Sequence, residues 1–300
     1  MTGVLSIGRG NMKKILLQTT IEYAQDDWSI ERFSILADVL SSIEDSSGRK
    51  SFRVTARDRD NLASGDDRLL SKIDESDFDQ IWLFGVDVGN GIGPQDCAAI
   101  DRFRQRGGAI FTSRDHQDLG ISFCSLGGIG AANHFHTKNP EIDPQRRMSD
   151  DNETPTISWP NYHSGENGDF QLVEAVLPLH PIMTNPQNPS GRIERLPAHP
   201  HEGAISVPPG ERQARVVAVG RSAITSNTFN IAIAFESENP GRAVVDSSFH
   251  HFADFNFDPR LGCPSFVTEP RGHALLENKA AVTDAKVYAR NTACWLSGMM

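Results

Sequence analysis

The segment Ala109-Ile110-Phe111-Thr112-Ser113-Arg114-Asp115-His116 passes without a break from apolar residues into titratable ones. Strands of an open α/β sheet are buried on both faces and read as short apolar runs, and ligands collect beyond their carboxyl ends. Asp115 and His116 stand at such an end. An imidazole titrates near neutrality and binds divalent metals, while a neighbouring carboxylate fixes its tautomer. The pair therefore reads as base and orienting acid or as metal ligands; the competing reading makes Asp115 the N-cap of a helix that starts near Gln117.

Three more segments carry imidazoles beside acids or amides. In His199-Pro200-His201-Glu202 the two imidazoles lie two residues apart, so an extended backbone turns both to one side. The helical spacing of a His-Glu-x-x-His zinc site is missing. His250 and His251 are adjacent in a strand-end segment and point opposite ways, so at most one faces a shared pocket and the other packs. Asn133-His134-Phe135-His136 either joins from one edge or holds partly exposed, noncatalytic histidines. The expected catalytic set is His116, Asp115, His201, Glu202, His250 and His251, with a divalent metal left open. Asp254, Asn256 and Asp258, interleaved with Phe252, Phe255 and Phe257, read as a polar rim or a solvated loop over buried rings. Gly89, Gly91 and Gly93 precede a helix, where backbone N–H groups can cradle an anion. Their spacing matches neither phosphate-loop pattern, so no nucleotide is expected.

These groups need a scaffold. Short apolar runs at 14–18, 52–56, 81–86 and 109–112 read as strands. Helical spacing of Phe33, Leu36, Ala37 and Leu40 predicts a helix over 28–43, and Cys97, Ala98, Ile100 and Phe103 predict another from Pro94 to the stop at Gly107-Gly108. Strand and helix in short alternation imply a doubly wound, mostly parallel sheet. Residues 137–206 are rich in Pro, Asn, Gly and Asp, which predicts a long loop-rich insertion, a lid or irregular surface. Strands resume at 214–219, 231–235 and 241–246, as a hairpin-like pair and a last core strand, and a helix over about 277–296 closes the chain.

Composition limits the partners. With 300 residues, 38% of them hydrophobic, the chain can bury one large core, and a single domain over 1–300 is expected. A formal net charge of −10 without a basic cluster argues against nucleic acid, because phosphate neutralisation needs a basic surface. A small molecule is the expected ligand, and homo-oligomerisation stays open. Cys97, Cys124, Cys263 and Cys294 show no C-x-x-C spacing and read as reduced thiols, Cys124 as a buried structural one. With no signal-peptide pattern near the N-terminus and no run of eighteen apolar residues, neither export nor membrane insertion is indicated, and a cytoplasmic setting is expected.

The order of these pieces resembles the trehalose-utilisation (ThuA-like) family. The resemblance rests on Phe78-Asp79-Gln80-Ile81-Trp82-Leu83-Phe84, the 95–106 helix, Gly107-Gly108-Ala109-Ile110-Phe111 with His116 beyond it, Leu179-His180-Pro181-Ile182-Met183, and Gly241-Arg242-Ala243-Val244-Val245 followed by Phe249-His250-His251. It implies the class I glutamine-amidotransferase-like superfamily and its flavodoxin-like α/β sheet. In that superfamily a Cys nucleophile occupies the turn that here reads Ser113-Arg114-Asp115-His116-Gln117, so glutaminase chemistry is not expected. The segment 245–251 resembles the strand end that carries the amidotransferase His, and the loop at Gly89 the one that supplies oxyanion donors. The expectation is an enzyme acting on a small polar, carbohydrate-derived substrate by His/carboxylate acid-base chemistry, metal-assisted or not. The alternatives are a noncatalytic metabolite- or carbohydrate-binding module of the same fold and a partner-interaction scaffold.

Overall fold

The computed structural model describes residues 12–150 and 156–300. The first eleven residues, part of the N-terminal segment read above, and the side chain of Cys124 lie outside the described residues. Nine strands form one sheet: β1 (Lys13–Glu22), β2 (Phe52–Arg59), β3 (Gln80–Phe84), β4 (Ala109–Ser113), β5 (Phe170–Ala175), β6 (Arg195–Pro197), β7 (Ala214–Arg221), β8 (Thr228–Phe235) and β9 (Ala243–Asp246), in the spatial order β2-β1-β3-β4-β9-β8-β7-β5-β6. The helices are α1 (Ser34–Ser42), α2 (Pro94–Gln105), the single turns α3 (Asp254–Phe257) and α4 (Ala274–Glu277), and α5 (Lys279–Leu296). The architecture is α/β, with a mixed sheet.

The five strands from β2 to β9 run parallel. From β9 to β6 every pairing is antiparallel. The expected mostly parallel sheet thus holds for one half only, and the connections explain why. A parallel neighbour needs a crossover of a dozen or more residues, as α1 and α2 provide, whereas β7 and β8 are joined by a short loop that forces the hairpin geometry. The segment 137–206 contributes β5 and β6 as the sheet's far edge, where the expectation had been loop alone. In β5 the buried Gln171 and Val173 alternate with exposed Leu172 and Glu174, the period of a half-buried strand.

Alternation along the central strands feeds two layers. Trp82, Phe84, Phe111 and Val244 face α1 and α5, meeting Leu36, Leu40, Tyr288 and Trp295. Ile81, Leu83, Ile110 and Val245 face α2 and the turn at Ile121–Ser125, meeting Ile100, Phe103 and Phe123. The expected helix over 28–43 divides into a 3-10 turn, Ile30–Phe33, and α1, because Asp254 reaches across the fold and accepts from the N–H groups of Ser34 and Ile35 at 3.0 and 2.8 Å, capping α1 from outside. Among the described residues no helix is long and apolar enough to cross a membrane.

The His180-Pro181-Ile182 piece has a structural role. His180 Nδ1 accepts from the Ile182 N–H at 3.3 Å, capping the turn Pro181–Met183, and its ring meets Trp295 edge-on at 4.7 Å. Burial and the charge of Arg215 push its pKa down to about 4. A depressed imidazole favours folding most above its unfolded value near 6.5, and that contribution is lost as pH falls towards 4. The expected loss is on the order of 2 kcal/mol between pH 7 and pH 4. Urea unfolding at those two pH values, in the native chain and in His180→Gln, checks it; the variant should show the shallower acid limb.

Candidate functional site

The carboxyl ends of β4 and β9 are side by side, with Ser113 paired in register with Asp246. Two residues beyond one end comes Asp115, and four beyond the other comes His250, so parallel pairing alone brings the two close. The third contribution is the segment after β6, which lies across both ends. Gly203 donates its N–H to Ser247 O at 3.1 Å, and Glu202 and Tyr162 exchange backbone hydrogen bonds. A Cβ on Gly203 would lie 2.5 Å from Asp115 O and 2.6 Å from a guanidinium nitrogen of Arg114. Only glycine allows this approach.

Arg114 fixes the turn from below. Its fully buried guanidinium donates to the carbonyls of Leu119, His134 and Gln117 at 3.1, 2.7 and 2.6 Å and lies over the Phe135 ring. Burial pushes its pKa down to about 9, so it remains a cation at neutral pH. His134 belongs to this support: its ring bonds Asn139 O and Ser206 Oγ and does not line the cavity, and His136 is exposed.

Asp115 is the centre of the site. His116 Nδ1 donates to its Oδ2 at 2.8 Å, His250 Nε2 lies 3.5 Å from Oδ2, and His199 Nδ1 lies 3.6 Å from Oδ1. Burial alone would raise the carboxyl pKa; the surrounding imidazoles His116, His199 and His250 overcome it and hold Asp115 well below the usual range, ionised. His199 is pushed far down by burial and by the neighbouring His250, whose ring stacks on it at 3.4 Å with 11° between planes, so His199 is neutral. His201 follows with its ring 4.9 Å from that of His116 and its Nε2 3.3 Å from Glu269 Oε1. These five residues line one cavity of about 350 Å³ together with Trp28, Val86, Asp27, Phe266 and Glu269.

Of the expected set, His116, Asp115, His201 and His250 thus share a cavity. His251 and Glu202 do not line it. His251 Nδ1 bonds Asp246 Oδ1 at 2.8 Å and its Nε2 lies 3.5 Å from Glu202 Oε2, while Tyr288 and Ser247 donate to the two acids at 2.7 and 2.8 Å. All of this is buried under the strand ends. Burial would lower the His251 pKa, but Asp246 and Glu202 raise it to about 10, which makes it a structural cation. The adjacency of His250 and His251 sends one ring to each side, as expected.

His199 is the residue that sequence reasoning left out of the catalytic set. The signal was present, since extended spacing turns His199 and His201 to one side. The polar rim read at 254–258 is instead internal wiring. Asp254 caps α1, Asp258 caps the turn Pro259–Leu261, and Asn256 holds His250 Nδ1 at 2.7 Å. The glycine loop before α2 is occupied by its own acids. Gly89 N–H bonds Asp87, Gly93 N–H bonds Asp96 and Gln95 N–H bonds Asp66, at 2.8, 2.9 and 2.9 Å, which leaves those amides nothing to offer a phosphate or an oxyanion.

No family model and no curated protein matches the chain. Among solved structures it is similar to a ThuA-like protein of Bacteroides uniformis, at 11% identity over 98% of this chain and 95% of the other with a TM-score of 0.49. It is also similar to a ThuA-like protein of Parabacteroides merdae, at 12% identity over 96% and 91% with a TM-score of 0.47. The glutaminase domain of Trypanosoma brucei CTPS, with bound acivicin, gives 13% identity over 87% and 97% and a TM-score of 0.43.

Two outcomes follow from this geometry. Gly203→Ala should lose about 1–3 kcal/mol, because the atoms it meets are backbone and a buried cation that cannot move aside; the change in urea midpoint measures it. His251→Ala should cost about 3–5 kcal/mol by leaving Asp246 and Glu202 buried without their cation. His116→Ala, at the cavity surface, should stay within about 1 kcal/mol. Equal losses in the two variants would contradict the division between wiring and cavity.

Proposed function

We infer that the chain is a ThuA-like enzyme of the class I glutamine-amidotransferase-like superfamily, with its flavodoxin-like arrangement, and that it moves protons on a small, uncharged, carbohydrate-like substrate without a Cys nucleophile. The observation that carries this reading is the Asp115–His116 pair. Asp115 is ionised and buried, and an ionised carboxylate only accepts, so the 2.8 Å contact requires the proton on His116 Nδ1. That leaves Nε2 as a lone-pair atom, the arrangement of a general base held by an orienting acid. His201, 4.9 Å away ring to ring and paired with Glu269, is the group that returns the proton.

The lining supports the substrate class. Neither Lys nor Arg lines the cavity, while Asp27, Asp115 and Glu269 do, so an anionic ligand would meet carboxylates without compensation. A neutral polyol or keto-sugar meets acceptors for its hydroxyls and an apolar wall of Trp28, Val86 and Phe266 for its ring faces. The cavity volume suits a ligand at the small end of the usual range. No thiol of the described residues lines it, which supports chemistry without an acyl-thiol intermediate.

The test is solvent deuterium exchange into a panel of neutral keto-sugars in heavy water, followed by mass spectrometry. The native chain should incorporate deuterium beside the carbonyl, and His116→Asn should slow this by about 10²–10⁴-fold, the usual contribution of a positioned base. Saturation-transfer NMR with the same sugars would show binding retained in the variant. Binding without exchange in the native chain would favour a noncatalytic module, and binding of sugar phosphates in preference to neutral sugars would overturn the substrate class.

A further inference from the structure

We propose that Asp115, His199 and His250 form a binding site for one divalent first-row transition-metal ion, of the kind zinc or iron(II) occupies, at the wall of the cavity. A carboxylate oxygen of Asp115 and one ring nitrogen from each of His199 and His250 lie within 4.8 Å of one another, and all three residues are buried. The contacts from Asp115 to His250 Nε2 and His199 Nδ1, 3.5 and 3.6 Å, exceed the 2.7–3.2 Å or so of a nitrogen-to-oxygen hydrogen bond. They match the edge of a tetrahedron around an ion with bonds near 2.1 Å, which is about 3.4 Å. The donors are spaced for an ion between them.

The carboxylate itself asks for a cation. Asp115 is 1% exposed, and among the described residues the one hydrogen bond on its Oδ1 comes from Ser248 Oγ at 3.5 Å. A buried anionic oxygen with so distant a donor pays its desolvation without return. The orientation of His250 supplies the complementary lone pair. Asn256 spends its amide hydrogens on Ala198 O and Asn167 Oδ1, at 3.1 and 2.9 Å, so its Oδ1 must accept from His250 Nδ1–H at 2.7 Å. His250 Nε2 is then bare and faces Asp115. A ligand imidazole with its far N–H held by a fixed acceptor is the usual outer shell of a metal site. The ring of His199 is held in the same manner at one edge, its Nδ1 lying 3.0 Å from both the N–H and the carbonyl of His201.

Two imidazoles and one carboxylate select transition ions over magnesium or calcium, which prefer oxygen. Three protein ligands at a cavity wall leave a position for water or a substrate oxygen, as catalytic sites do. The inference concerns the cavity described above but does not rest on its turnover.

Metal binding is read directly, without activity. The full chain, stripped with a chelator and dialysed, would be titrated calorimetrically with zinc chloride and, separately, with cobalt(II) while its visible absorption is recorded. One ion per chain should bind, with the cobalt spectrum of a low-coordinate nitrogen and oxygen site and no comparable response to magnesium. His199→Gln and His250→Gln, checked for native circular dichroism, should weaken zinc binding at least about tenfold, and Asn256→Ala by about 10–100-fold. His136→Gln, outside the cavity, should bind as the native chain does. No saturable binding by the folded native chain, or unchanged binding in both ligand variants, would overturn the site and leave the Asp115–His116 base intact. Exchange chemistry that fails while zinc still binds would instead remove the functional reading alone.

Discussion

A carboxylate with almost no access to water sits at the seam where two parallel strands end, and the surrounding structure is arranged to keep it charged. Removing such a group from solvent costs several kcal/mol unless cations or donors replace the lost hydration. Asp115 has three imidazoles within 3.6 Å and no guanidinium or ammonium in hydrogen-bonding reach among the described residues. Arg114, the next residue, is turned away and spent on backbone carbonyls. Compensation therefore comes from groups that can gain or lose a proton or hold a metal, unlike a permanent cation. That choice converts a buried charge from a structural cost into a reactive centre.

The same strand ends carry a second buried network that resolves in the opposite way. Asp246 and Glu202 enclose His251, and Tyr288, Ser113 and Ser247 supply further donors. Here the acids are nearly saturated and no cavity reaches them. Asp246 pairs in register with Ser113 while Asp115 lies two residues past it, so the two acids are separated by one strand repeat. A sheet with its alternation intact thus places a rigid ion cluster beneath a flexible chemical one. The lower cluster ties α5, through Tyr288, to the segment that carries His199 and His201.

The central elements were legible because buried strands and amphipathic helices leave a period in the chain. Ile81 to Phe84 and Ala109 to Ser113 are fully buried runs, and Phe103 and Ile100 recur at helical spacing. The far half of the sheet was less so. The orientation of β8 against β9 depends on the short connection, and β5 owes its place to Gln171 and Val173 within a stretch dominated by loop residues. At the site, proximity to a strand end flagged Asp115, His116 and His250. Which of His199, His201 and Glu202 meets the cavity depended on the hinge at Gly203, whose tertiary contacts have no local signature. The choice between His250 and His251 turned on Asn256, an amide six residues on that periodicity could not assign.

The Cys-free turn and the occupied glycine loop bear on each other. A thiolate nucleophile is useful when backbone amides stand ready for the oxyanion it generates. Here Asp66, Asp87 and Asp96 accept from the amides before α2, and the turn after β4 offers a carboxylate in place of a thiol. Either change alone would leave half of an acyl-transfer site. Together they shift the cavity from stabilising a developing negative charge on the substrate by amide dipoles to exchanging protons with it through imidazoles. An ion at Asp115, His199 and His250 would restore the missing electrophile from side chains instead of backbone, with His116 still free at Nε2 to act beside it.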